Sequence, residues 1–279
     1  MTSLQDAKAI VLNWRKTGAR LPEGHSWWSL SPGEPPDDKL DLWKIALFAG
    51  YPFPDSFAHW DARIVPAGGL VRSLIGCPPQ DEKSYTCTLA HYAVANGYTL
   101  SAAFRQWDLL DSNGLPLIHL YLDLKHALPA NFDQWEIATA GKTVAHAYLE
   151  LILGPLPSHF DAWHLKDEGG QPVAHAAAWL ALGFTRPEIA SFPEDPSIWL
   201  LRDQNEDTIL HLYARFGDPI PDVFSLEDWH LANKHGQRVI DLAREAGHEA
   251  LVARYEALRL ASGIGLEHAV KSSLRRRST

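Results

Sequence analysis

The sequence predicts an all-α fold, an α-solenoid of stacked helix–turn–helix repeats behind an N-terminal capping helix. Three observations lead there. Trp stands at 107, 135, 163, 199 and 229, with spacings of 28, 28, 36 and 30 residues. His stands at 91, 119, 146, 175 and 211, with spacings of 28, 27, 29 and 36. A fixed interval of five residues joins Gly114 to His119, Gly141 to His146 and Gly170 to His175, and again Gly236 to Asp241. A period near 28 in unrelated residue types marks a unit that buries its apolar face only against its neighbours.

The elements follow in order. Apolar residues at helical spacing from 4 to 17 (Leu4, Ala7, Val11, Trp14) predict a capping helix, and the Pro-, Gly- and Ser-rich stretch to Asp38 a loop, so residues 1–38 form an N-terminal cap. Residues 39–261 are the repeat region. Its first unit, Lys39 to Trp60, has a helix, Gly50, a Pro and then Phe57 and Trp60. An irregular insertion occupies about 61–87. Each later unit opens with a turn such as LDSNG or KDEGG, where Asp and Asn bond their own backbone and Gly takes a positive φ. Thr88, Thr143 and Thr208, or Pro116 and Pro172, stand at the helix start. A Gly ends the helix at 97, 154, 183, 217 or 247. A Pro-x-x-Phe-x-x-Trp segment then predicts a short second helix with both rings on one face. Residues 262–279 are a C-terminal helix and a tail with Lys271, Arg275, Arg276 and Arg277.

These units resemble the ankyrin repeat, in a diverged, short-period form of the bacterial type. The Gly-to-His interval matches that family's helix-opening block, and GQRVIDLAREAGHEALVARYEAL (236–258) resembles a C-terminal ankyrin unit with two full helices. The resemblance covers Thr88 to Leu258 and implies about six units. It also implies that the recurrent His is structural, bonding backbone between neighbouring units. The period near 28 and the long loop after His175 depart from the family pattern.

Composition narrows the function. The chain has 279 residues, is 46% hydrophobic and 21% charged, and carries a net charge of −9. It holds ample apolar mass for a core, and its acidity argues against nucleic acid as a partner. Apolar runs stop well short of the ~18 residues of a membrane span. The start of the chain lacks a secretory pattern, and the only two cysteines, Cys77 and Cys87, cannot build a disulfide framework, so the expected compartment is cytoplasmic. No nucleophile elbow, phosphate loop or dinucleotide fingerprint is present. Histidines spread one per unit would lie ~8–10 Å apart, too far to share one zinc ion bound at ~2 Å. No catalytic residue, cofactor or metal is therefore expected.

What remains is a surface of turn tips and first-helix faces. Its candidate partner-binding residues are Asp111, Asn113, Tyr121, Asp123, Tyr148, Glu150, Asp167, Glu168, Trp179, Asp203, Glu206, Tyr213 and Arg215. Aromatic anchors among carboxylates suit a protein partner of basic charge. The expected function is a non-catalytic protein–protein interaction module, monomeric when free. One form of it is an immunity protein that neutralises a toxin by steric occlusion. The alternative is a secreted effector or regulatory scaffold that binds a host or cellular protein. A third reading places an enzyme site in the 61–87 insertion, with Cys77, Cys87 and His91 as its nearest approach to a metal set.

Overall fold

The computed structural model describes residues 4–21, 43, 44, 46, 47, 50–64, 86–151, 156–183 and 195–262. It is mostly helical, with a few two-residue strands. The helices are α1 (Leu4–Thr17), α2 (Leu89–Ala95), α3 (Leu117–Asp123), α4 (Val144–Glu150), α5 (Val173–Gly183), α6 (Pro196–Trp199), α7 (Ile209–Phe216), α8 (Leu226–Trp229), α9 (Val239–Glu245) and α10 (Glu249–Ala261). The chain divides into two units, Met1–Ala140 and Gly141–Thr279. No helix among the described residues is long and apolar enough to cross a membrane.

In the first unit, α1 buries Val11 and sets Trp14 against Tyr51, with ring centroids 5.2 Å apart. Trp43, Ala46 and Leu47 are core residues, followed by Phe53, Phe57 and Trp60. The 61–87 insertion is not wholly irregular. Its two ends pair as antiparallel strands, Arg63 opposite Thr88 and Ile64 opposite Cys87. Residues 65–85, with Cys77, lie outside the described residues, as do residues 22–42, expected as a loop, and those beyond 262.

Helices α2 and α3 are seven residues each and bury almost everything they carry. Isolated helices of that length are marginal, so their stability comes from packing. Beside them run edge-to-face rings: Phe57–Trp60 at 5.0 Å, Trp60–Phe104 at 5.9 Å, Phe104–Trp107 at 4.8 Å and Trp107–Phe132 at 5.8 Å. Phe57, Trp60, Phe104, Trp107 and Phe132 thus alternate in one aromatic row.

The second unit repeats this local structure. Phe160 lies edge-on to Trp163 at 5.0 Å, and Trp199 packs on Phe224 at 5.6 Å. The predicted short second helix is here a correction. At Pro157–Trp163 the chain makes a single turn, closed by the Phe160 N–H on the Pro157 carbonyl at 2.9 Å, with no helix; the same turn closes Phe132 on Pro129 in the first unit. Among the described residues, four-residue helices form at α6 and α8, where Asp195 and Ser225 cap the N-terminus. The two full helices expected near the end are α9 and α10. At Gly217 the chain leaves α7 with φ 85°, and a Cβ there would sit 2.5 Å from Nδ1 of His248. Glycine alone satisfies both conditions. The His248 ring donates from Nε2 to the Arg215 carbonyl at 3.1 Å, tying the start of α10 to the end of α7.

Candidate functional site

The recurrent histidines are internal links. His91 is fully buried at the third position of α2, and its Nε2–H donates to the Leu115 carbonyl, 3.1 Å away and 24 residues on. His146 donates to Gln171 O at 3.0 Å and His175 to Leu201 O at 2.7 Å. An N–H must face a carbonyl, which fixes Nδ1 as the acceptor. That nitrogen accepts from the hydroxyl of Thr88 in the first case and Thr143 in the second, each at 2.7 Å. Thr208 meets His211 the same way at 2.9 Å, its backbone N–H also reaching Nδ1. Nε2 of His211 and of His119 falls outside good hydrogen-bond geometry, although His211 lies against the backbone of Gln237 and Leu231 and His119 against that of Ile137. Asp241, at the equivalent place in α9, instead caps its own helix by accepting from the Arg238 N–H at 3.2 Å.

Burial holds all five imidazoles below their ordinary pKa, so they are neutral at pH 7. A base with a depressed folded pKa leaves the folded state holding fewer protons than the unfolded one. Stability is therefore complete above the unfolded value of 6.5 and is lost as pH falls below it. Urea midpoints measured from about pH 7.5 down to about pH 5 should fall steadily below about pH 6.5. A flat profile would contradict the burial of these rings.

Beside the histidines, the turn tips are built alike. Asp111 Oδ1 accepts from the backbone of Asn113 and Leu115, Asp203 Oδ1 from Asn205 and Asp207, and Asn233 Oδ1 from His235 and Gln237, all at 2.7–3.0 Å. Within each unit, successive tips are joined by backbone: Ser112 N–H to Thr86 O, Glu168 to Gly141 and Lys234 to Asn205.

Four of the sequence-predicted partner residues come together. Asp167, Trp179, Asp203 and Arg215 line one solvent-open groove of about 360 Å3 in the second unit, between the 167–171 and 203–207 turns. Its floor includes His175 and Leu212. Trp179 is 45% exposed and leans on Phe216, with centroids 5.2 Å apart. Asp207 is buried beneath the second turn, where Asn233 Nδ2 donates to one carboxylate oxygen at 2.8 Å and Arg215 meets the other at 3.4 Å. Glu168 and Glu206 are exposed on the turns themselves, Glu206 at φ 58° and 3.6 Å from Arg202. Among the described residues no three His, Cys, Asp or Glu side chains come together as a metal site. The sequence matches no protein-family model and no curated protein.

Other expected surface residues are corrected. Tyr121 is 1% exposed and packs on Trp107 at 5.1 Å. Tyr213 is buried against Trp199 at 4.8 Å, and that burial pushes its phenol up to about 12. Asp111 is buried under its own turn. All three are buried rather than exposed, the two tyrosines because six of the seven α3 residues and six of the eight α7 residues are buried. Asn113 and Asp123 are exposed in the first unit, and Tyr148 is half-buried in the second. Glu150 is exposed but paired with Lys142 at 2.6 Å.

His175, expected as a structural residue, makes that kind of bond to Leu201 O and also lines the groove. The residue three positions upstream sets it apart from most of its counterparts. Pro172 replaces the Thr found before His91, His146 and His211, which removes the hydroxyl that would occupy Nδ1.

Proposed function

We propose that the chain is a non-catalytic protein-binding module, built of ankyrin-like repeats as an α-solenoid, that engages a basic partner through the groove of its second unit. The repeat reading is supported by histidine links and tip-to-tip backbone bonds that each span 24–29 residues. The functional reading rests on one observation above the others: an exposed Trp179 stands over a groove walled by Asp167 and Asp203. A partly exposed indole beside unneutralised carboxylates is the composition of an anchoring site for a cationic segment.

The net charge of −9 extends the same preference over the whole chain and speeds encounter with a basic protein. Such a module acts by covering its partner's surface. Against a basic toxin that is neutralisation by occlusion, the immunity role, and the effector or scaffold role uses the same face on another target.

The test is an isotherm with a short peptide of Arg, Lys and Ser against its Glu/Ser counterpart. Binding of the basic peptide alone is expected. It should weaken at least about tenfold from about 0.05 M to about 0.5 M NaCl, as the Debye length shrinks from roughly 14 Å to roughly 4 Å. Equal binding of the two peptides would contradict the proposal.

A further inference from the structure

We infer that the floor of this groove is a pocket for one arginine side chain of the partner, read by the unoccupied Nδ1 of His175. This deepens the function proposed above and rests on it for the identity of the partner.

His175 is 1% exposed, yet it lines the groove. Its Nε2–H is committed to the Leu201 carbonyl at 2.7 Å, so Nδ1 presents a lone pair. Nothing among the described residues donates to that lone pair, because Pro172 stands where Thr stands before His91, His146 and His211, as Pro116 does before His119. An acceptor on a mostly buried ring is satisfied by water or by a ligand's donor. Here it opens on a groove rather than on packed core.

The surrounding groups are acceptors too. Asp167 uses Oδ1 for the Gln171 N–H, and Asp203 uses Oδ1 for the Asn205 and Asp207 N–H groups. Their Oδ2 atoms have no partner among the described residues. Asp207, by contrast, is balanced by Arg215 and Asn233. The site thus offers three acceptor directions, two uncompensated negative charges and one aromatic wall, Trp179. Two cations oppose this charge: Arg215 lines the groove but is held 3.4 Å from Asp207, and Lys166 is exposed nearby. An anion is repelled here and a neutral apolar group leaves every acceptor unpaired. A guanidinium is planar, always charged and carries five donors in a fork. It can stack on an indole while bonding carboxylates and an imidazole together. An ammonium has three donors on a single centre but no planar face to stack on the indole.

The test uses the full chain, labelled with 15N-histidine and titrated with N-acetyl-arginine methylamide. Saturable binding is expected, with the His175 Nδ1 resonance moving as its lone pair takes up a hydrogen bond. The uncharged citrulline derivative should bind at least about tenfold more weakly, and Asp203→Asn, which keeps the turn-closing Oδ1, should weaken the arginine probe by a similar factor. Trp179→Ala, at an exposed site, should weaken it by about tenfold with the His175–Leu201 bond retained. An unmoved His175 signal, equal binding of citrulline, or a lysine derivative that binds as tightly as arginine would overturn the pocket. If the basic peptide still binds while the probe leaves His175 unmoved, the pocket falls and the functional proposal stands. If the probe binds at His175 but the peptide does not bind, the pocket stands and the functional proposal falls.

Discussion

Replacing Trp107 by alanine is expected to destabilise the protein by about 3–5 kcal/mol, the range for a large aromatic lost from a close-packed core. Trp107 is 2% exposed and touches Phe104, Tyr121 and Phe132 at centroid distances of 4.8, 5.1 and 5.8 Å. Its removal interrupts the aromatic row at a point where a ring on either side loses its edge-to-face neighbour. The loss of ring–ring geometry adds to the loss of buried area. Trp179→Ala supplies the contrast, with a cost below about 1 kcal/mol, because an exposed ring gives up little burial. Urea denaturation of the two variants reads the difference. Equal destabilisation would show that the recurrent tryptophans are not core.

The second large effect is expected at His91. Substitution by leucine keeps the volume but removes one of two donors to the Leu115 carbonyl, which retains the Asp111 N–H, and leaves the Thr88 hydroxyl without Nδ1. The lost bond to the carbonyl costs about 0.5–1.5 kcal/mol and the unpaired hydroxyl about 1–3 kcal/mol, so the sum is expected near 2–4 kcal/mol. The link joins residues 24 apart, so its loss should also raise amide exchange at the 111–115 turn, whose fold depends on that contact. His235→Leu, on an exposed tip, should change stability by no more than about 0.5 kcal/mol. Thermal melts and hydrogen exchange of the pair check both statements. If His91→Leu melts with the parent protein, the histidines are not structural links.

Much of this architecture was legible because periodicity needs no knowledge of helix phase. Trp and His recurring every 28 residues declare an internal row whichever way each helix is turned, and the turn chemistry of Asp111, Asp203 and Asn233 is written in residue type alone. The errors came where phase mattered. Tyr121 and Tyr213 lie two residues past the recurrent His, roughly 200° around the helix, which suggested an outer face. Helices α3 and α7 scarcely have one, being buried on nearly all sides. The Pro-x-x-Phe-x-x-Trp segments were read as short helices. Most close only one turn, since a nucleus that small gains too few hydrogen bonds to propagate. The groove was half legible: its acids and Trp179 were named, but their convergence depends on how the 167–171 and 203–207 turns pack against α5 and α7. The vacancy at His175 could have been noticed from the exchange of Thr for Pro172.

The central claim, that the rows are internal and the second unit's groove is the binding surface, meets its most direct test in an amide and indole NMR footprint of the basic peptide. Shifts are expected at the Trp179 indole, at Gln171 and through Asp203–Asp207, with the amides around Trp107 and His91 unmoved. Shifts concentrated instead on the recurrent histidines and tryptophans, or on the cleft beside Phe53 and Tyr98, would contradict it.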